Sequence, residues 1–126
     1  MYDAIVIGAR CAGSATAMLL ARKGYRVLLL DRAAFPSETF RSHFIQHPGV
    51  VQLHRWGPLD RVIASNCPPI RTFTADLGDF PLREPFEAGD GVEATYAPRR
   101  IVLDKILVDA AVAAGAQLRE HCTVHQ

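Results

Sequence analysis

Residues 3–31 read DAIVIGARCAGSATAMLLARKGYRVLLLD, and this stretch decides the fold. The chain begins with a short apolar run over 2–7, which is typical of a central parallel strand buried on both faces. A glycine-rich turn over 8–13 leads into an expected helix over 14–23, and residues 26–30 form a second apolar run. Strand, helix and strand within about thirty residues predict a parallel βαβ unit with a right-handed crossover.

The glycine-rich turn suits the pyrophosphate of a nucleotide. A turn at a helix N-terminus offers backbone N–H groups to an anion, and the helix dipole favours the negative charge. Gly8 permits the turn that leaves the strand, and Gly13 lets the helix pack closely on the sheet. Asp31 ends the second strand, where a carboxylate can accept hydrogen bonds from ribose hydroxyls. The sequence therefore predicts a dinucleotide-binding unit rather than an ordinary βα turn.

Arg10 occupies the middle glycine position of the G-x-G-x-x-G pattern. Its guanidinium can offer hydrogen bonds to the phosphates, or its side chain can point to solvent while the turn relaxes. A degenerate turn that binds nothing is the third interpretation. Within the helix, Ala12, Ala15 and Leu19 share one face, which we expect to pack on the sheet.

Composition and charge narrow the classes of function. The 126 residues carry a net charge of only +1, so there is no electrostatic case for a nucleic-acid partner. Residues 1–56 hold seven Arg and Lys against three Asp and Glu, which suits a polyanionic ligand, although chance could distribute surface charge in this way. No apolar stretch approaches the ~20 residues that span a bilayer. Three cysteines without a CxxC pair or a signal peptide favour a cytoplasmic protein.

The rest of the chain predicts a small antiparallel excursion and then a return to the parallel sheet. Expected helices cover 50–56, 59–64 and 103–114, and expected strands cover 70–77, 80–82, 92–96 and 117–124. In the last helix, Asp104, Lys105 and Asp109 lie opposite the apolar face. Asp90 and Gly91 lie in an acidic stretch and predict a hairpin turn.

The sequence gives little support for a metal site or for a redox-active thiol. His43 and His47 have an i, i+4 spacing and His54 follows, but Pro48 interrupts any shared helix, so no metal site is predicted. Cys11 lies at a helix N-terminus, which lowers a thiol pKa, yet a bound pyrophosphate would offset this effect. We interpret Cys11 as a small turn residue rather than a redox thiol. The sequence nominates no catalytic acid or base.

Three stretches resemble the N-terminal region of FAD-dependent monooxygenases and related oxidoreductases of the para-hydroxybenzoate hydroxylase type. They are DAIVIGARCAG (3–13), AMLLAR (17–22) and VLLLDR (27–32). The family places a basic residue near the FAD phosphates where this chain has FRSH (40–43). RIVLDKIL (100–107) matches the family's R-x-x-L-x-x-x-L helix start, whose arginine lies close to the flavin.

The resemblance implies an α/β fold, with 1–126 as the N-terminal part of an FAD/NAD(P)-binding domain. That part would hold a Rossmann-like FAD-binding βαβ unit and a small antiparallel β excursion. The implied cofactor is FAD, and the parent enzyme would use NAD(P)H as reductant and oxidise a small organic substrate. The expected cofactor-binding residues are Gly8, Ala9, Arg10, Cys11, Ala12, Gly13, Asp31, Arg32, Arg41 and Arg100. Arg32 could instead hold the 2′-phosphate of NADP, but the adjacent Asp31 carboxylate favours FAD or NAD.

Two functional alternatives stay open. The family's later Asp-Gly and Gly-Asp segments do not occur in these 126 residues, so the resemblance implies an incomplete domain that is inactive alone. A flavin-dependent reductase of the same fold is one alternative to a monooxygenase. A non-catalytic nucleotide-binding module is an alternative of another class.

Overall fold

The computed structural model describes residues 1–40, 43–86 and 88–125, and the chain forms two compact units. The first unit comprises residues 1–41 and 99–126, and the second comprises the intervening segment. In chain order the elements are β1 (Ala4–Ile7), α1 (Cys11–Arg22), β2 (Val27–Leu30), α2 (His47–Trp56), α3 (Leu59–Ala64), β3 (Pro69–Ile70), β4 (Thr72–Asp76), β5 (Pro81–Pro85), β6 (Thr95–Tyr96), α4 (Arg100–Ala113) and β7 (Gln117–Arg119).

The first unit contains a three-stranded parallel sheet in the order β1-β2-β7. The predicted parallel pairing of β1 with β2 is confirmed, and all four residues of β2 are buried. The expectation that β1 is central and buried on both faces is wrong. Within the described residues β1 is an edge strand of its sheet, and the side chains of Ile5 and Ile7 are 60% and 65% exposed. In the described residues, α1 packs on β1 and β2, while the face that carries Ile5 and Ile7 stays largely open.

Helix α1 buries a different face from the one that its sequence favours. The buried side chains belong to Ser14, Ala17, Met18 and Ala21, whereas Ala12 is exposed. Apolar residues surround α1 on nearly all sides, so spacing alone does not define one apolar stripe. Packing against both the strands and α4 selects the buried face.

Helix α4 begins at Arg100 and covers the predicted apolar positions. Leu103, Ile106 and Leu107 are buried as expected. The placement of Asp104 on the polar face is wrong, because this residue is completely buried. None of the helices in the described ranges is long and apolar enough to cross a membrane.

The second unit contains the predicted antiparallel excursion. β4 pairs with β5 and β3 pairs with β6, both antiparallel, and α3 has the predicted bounds. β4 and β5 are almost entirely exposed rather than half-buried. The predicted hairpin turn is confirmed: Gly89 and Val92 exchange backbone hydrogen bonds, and Asp90 and Gly91 have φ angles of 52° and 78°.

Candidate nucleotide-binding site

Two glycines shape the turn between β1 and α1. Gly8 has a φ of 96°, in the left-handed region that glycine adopts without strain, and its N–H donates to the carbonyl oxygen of Leu30 at 2.7 Å. A β-carbon at Gly13 would lie only 1.7 Å from the carbonyl oxygen of Gly8 and 3.3 Å from Cγ1 of Val6. The first turn of α1 therefore lies directly against the end of β1, and no side chain fits between them.

In the part of the chain that the structure describes, the first N–H groups of α1 have no hydrogen-bond acceptor. Ser14 N donates to the carbonyl oxygen of Arg10 at 2.9 Å, which is the first hydrogen bond of the helix. The N–H groups of residues 10–13 therefore have no intrahelical acceptor. No side chain of the described residues caps this end, and the first turn of α1 holds no acidic residue. Unused donors and the positive end of the helix dipole together suit an anion.

Asp31 is buried at the carboxyl end of β2 and supports the turn directly. Its Oδ2 accepts a hydrogen bond from Ala9 N at 2.6 Å, and its Oδ1 accepts one from Ala33 N at 2.8 Å. Its backbone N–H donates to Arg119 O at 3.1 Å, and its carbonyl accepts from Cys122 N at 2.9 Å. Each carboxylate oxygen has a second lone pair, so the group can still accept from a ligand hydroxyl.

A cavity of about 310 Å³ opens beside this carboxylate. Its lining comprises Ile7, Gly8, Leu30, Asp31, Arg32, Cys122, Thr123 and Val124. The cavity lies at the carboxyl ends of β1 and β2, the place where open parallel sheets bind nucleotides. Cys122, Thr123 and Val124 were not candidates from the sequence, because only the pairing of β7 with β2 brings the segment after β7 to this edge.

The Arg10 side chain is held by the protein and does not point freely into solvent. Its Nη1 donates to Oδ2 of Asp104 at 2.7 Å and to the carbonyl oxygen of Ser37 at 3.1 Å. Its Nη2 donates to Oγ of Ser37 at 2.7 Å, and its guanidinium carbon lies 4.9 Å from the centre of the Phe35 ring. These contacts tie the turn to α4 and to the loop after β2.

Asp104 is the centre of a polar cluster that sequence reasoning missed. Besides Arg10, its carboxylate accepts from Nη2 of Arg100 at 2.9 Å and from Sγ of Cys11 at 3.2 Å. Burial raises the pKa of the Cys11 thiol to about 11, and the hydrogen bond and charge of Asp104 act in the same direction. The expected lowering by the helix dipole is therefore outweighed, and Cys11 is a neutral thiol at neutral pH. The i, i+4 spacing of Arg100 and Asp104 was the available signal.

The other predicted residues have varied positions. Arg32 is exposed and lines the cavity, whereas Ala9 is completely buried inside the turn. The Arg100 side chain is 15% exposed and faces Asp104. Arg41 lies outside the described residues. No group of three His, Cys, Asp or Glu side chains in the described part of the chain could hold a metal ion.

A comparison with protein families identifies the class of domain. The sequence profile described as FAD binding domain matches residues 1–126. The chain belongs to the FAD-binding domain family. This membership confirms the family and the α/β fold that the sequence motifs indicated.

The chain is similar to part of two longer curated proteins. Digeranylgeranylglycerophospholipid reductase 2 of Methanopyrus kandleri is 32% identical over 123 residues, which cover 93% of this chain and 27% of the reductase. Aklavinone 12-hydroxylase DnrF of Streptomyces peucetius is 32% identical over 135 residues, with the same two coverages. This chain spans about a quarter of the length of these curated relatives.

The fold is also similar to that of part of a solved structure. The FAD-dependent halogenase CndH, a myxobacterial chondrochloren halogenase, superposes with a TM-score of 0.80 at 28% identity. The matched region covers 95% of this chain and 28% of CndH. The chain is thus similar to part of a flavin-dependent halogenase as well as to part of a hydroxylase.

Proposed function

We propose that this chain binds FAD, with the pyrophosphate at the N-terminus of α1 and the adenosine ribose at Asp31. The observation that carries the proposal is the turn itself. Residues 10–13 offer N–H donors for which the described residues supply no acceptor, and the first turn of the helix lies against Gly8 with no room for a side chain at position 13. Asp31 lines the adjacent cavity and retains acceptor capacity for a ribose hydroxyl.

The charges around the turn support an anionic ligand. Within the cluster around Asp104, Arg10 and Arg100 bring two positive charges, Asp104 brings one negative charge and Cys11 is neutral, so this cluster keeps one positive charge. The Arg10 guanidinium has five N–H donors, of which the contacts within the described residues use three. We propose that its remaining donors contact the pyrophosphate.

Further residues from the sequence motifs complete the proposed site. Arg32 borders the adenosine cavity from its exposed side, and Arg41 would act at the phosphates as its motif implies. Arg100 would keep positive charge near the flavin. Asp31 disfavours a dianionic 2′-phosphate, which supports FAD over NADP at this turn.

For the complete reaction we propose flavin-dependent oxidation of a small organic substrate with NAD(P)H as reductant. Bound FAD would take electrons from NAD(P)H and pass them to dioxygen, while the protein orients and shields the flavin. The similarity to aklavinone 12-hydroxylase supports a monooxygenase, and that to digeranylgeranylglycerophospholipid reductase 2 favours a reductase as the second candidate. The three cysteines are free thiols, which supports a reducing, cytoplasmic setting.

The experiment that tests this function is an FAD titration of the purified protein, followed by flavin fluorescence and absorption. We expect one FAD per chain and a perturbed flavin spectrum. A folded protein that binds no FAD would leave the proposal without support and favour a nucleotide-binding module with another ligand, which titration with NAD and ADP would identify. We expect no NAD(P)H oxidation from the 126-residue chain alone, because it spans only about a quarter of the length of its curated relatives.

A further inference from the structure

Asp104 is the most deeply buried charged residue that the described chain brings to the phosphate turn. Its side chain has no exposed surface, and it lies on α4, more than ninety positions from the turn in sequence. A buried carboxylate is costly unless it is paired and hydrogen-bonded. Here it has donors on both sides: Arg10 and Cys11 from the turn, and Arg100 from its own helix.

The hydrogen bonds of Arg10 determine where its guanidinium group lies. A long side chain at a position usually reserved for glycine can swing across the N–H groups that a pyrophosphate needs. Asp104 accepts from Nη1 of Arg10, and Ser37 accepts from Nη1 through its carbonyl oxygen and from Nη2 through its hydroxyl. The guanidinium is therefore fixed between Asp104 on α4 and Ser37 in the loop after β2.

We propose that Asp104 is a positioning residue for FAD, because it holds Arg10 where its free N–H groups reach the pyrophosphate and its stem leaves the backbone donors open. This inference rests on the proposed function. It also explains how the turn tolerates Arg10 in place of the middle glycine. Asp104 itself touches no cofactor atom in this scheme and acts through Arg10.

A double-mutant cycle tests the proposal. FAD affinity is measured by fluorescence titration of the purified protein for the wild type, Asp104→Asn, Arg10→Gly and the double variant. We expect each single variant to weaken binding by about tenfold or more, which corresponds to one charge-assisted hydrogen bond. In the Arg10→Gly background, Asp104→Asn should change the affinity by less than about twofold.

A general structural role for Asp104 gives a different result. In that case Asp104→Asn weakens FAD binding by the same factor with or without Arg10, which overturns the proposal. Unchanged affinity in Asp104→Asn or in Arg10→Gly also overturns it. Asp109→Asn is the matched control, since this carboxylate pairs with Lys105 on the same helix, and we expect it to leave the affinity unchanged.

Ser37→Ala provides a second variant that spares the buried cluster. It removes one hydrogen bond from Nη2 of Arg10, and we expect a loss of about threefold in affinity with Arg10 present and none with Gly at position 10. Equal losses in both backgrounds contradict the proposal. If Gly13→Ala abolishes binding while Asp104→Asn does not affect it, the proposed function stands and the role of Asp104 falls. A folded wild type without FAD affinity overturns both.

Discussion

The contact of Gly13 with Gly8 makes a substitution at position 13 the most demanding test of the turn. In Gly13→Ala, the new β-carbon would lie 1.7 Å from the carbonyl oxygen and 2.9 Å from the carbonyl carbon of Gly8. Both of these are backbone atoms, so no side-chain rotation relieves the clash. Restoring even a 3.0 Å separation requires the oxygen to move by at least about 1.3 Å.

The size of that movement determines how much folding stability and FAD affinity we expect Gly13→Ala to lose. Overpacking of a tight contact costs about 1–3 kcal/mol of folding free energy. Moving the turn also misaligns at least one N–H group at the start of α1, and a hydrogen bond to a charged group contributes about 1.5–3 kcal/mol. We therefore expect the Kd for FAD to rise by about 10- to 100-fold.

The assay is a fluorescence titration of FAD at a temperature where circular dichroism shows that the variant is folded. Gly89→Ala is the matched control, because a β-carbon there meets no atom within 4 Å and the backbone is outside the left-handed region. We expect the control to bind as the wild type does. If Gly13→Ala also binds FAD with wild-type affinity, the turn does not hold the pyrophosphate and the reasoning is refuted.

Three further predictions concern charged and thiol groups. Asp31→Asn removes the hydrogen-bond acceptor of either Ala9 N or Ala33 N. We therefore expect the free energy of unfolding to fall by about 1–3 kcal/mol and FAD to bind roughly tenfold more weakly. Unchanged FAD titration and urea unfolding curves would contradict this prediction. The pKa of Cys11 is raised to about 11 from its ordinary value of 9.0, so the stability present below pH 9 should fall as the pH rises towards 11. Cys11→Ala should flatten that decline in thermal melts, and an equally steep decline would refute the assignment. The hydrogen bond from Arg26 lowers the pKa of Asp3 from 3.8 to about 2, so its stabilisation is present above pH 4 and lost as the pH falls towards 2. Asp3→Asn should reduce this acid-side loss, which melts between pH 2 and 5 would measure.

The βαβ unit could be predicted because local signals agree over its whole length. Apolar runs, a glycine turn and a helix end coincide, and the parallel pairing of β1 with β2 follows from them. The bounds of α3 and the turn at Asp90 and Gly91 were likewise readable from local sequence. Burial was harder to predict, since the exposure of Ile5 and Ile7 depends on which elements cover each face of the sheet.

The candidate site also contains residues that local sequence predicts and residues whose position depends on packing. The glycines and Asp31 belong to one continuous motif, so their proximity was predictable. The spacing of the apolar residues predicts Asp104 opposite the apolar face of the helix, together with Lys105 and Asp109. The Asp104 carboxylate reaches Arg10 and Cys11 only because α4 packs against α1. A contact between two helices cannot be predicted from the residue spacing within one of them.

A crystal structure of the protein with FAD tests the central claim most directly. We predict phosphate oxygens about 2.7–3.2 Å from backbone nitrogens of residues 10–13, and a ribose hydroxyl at the same distance from Asp31. FAD bound elsewhere on the chain, with the N-terminus of α1 facing only solvent, would contradict the account.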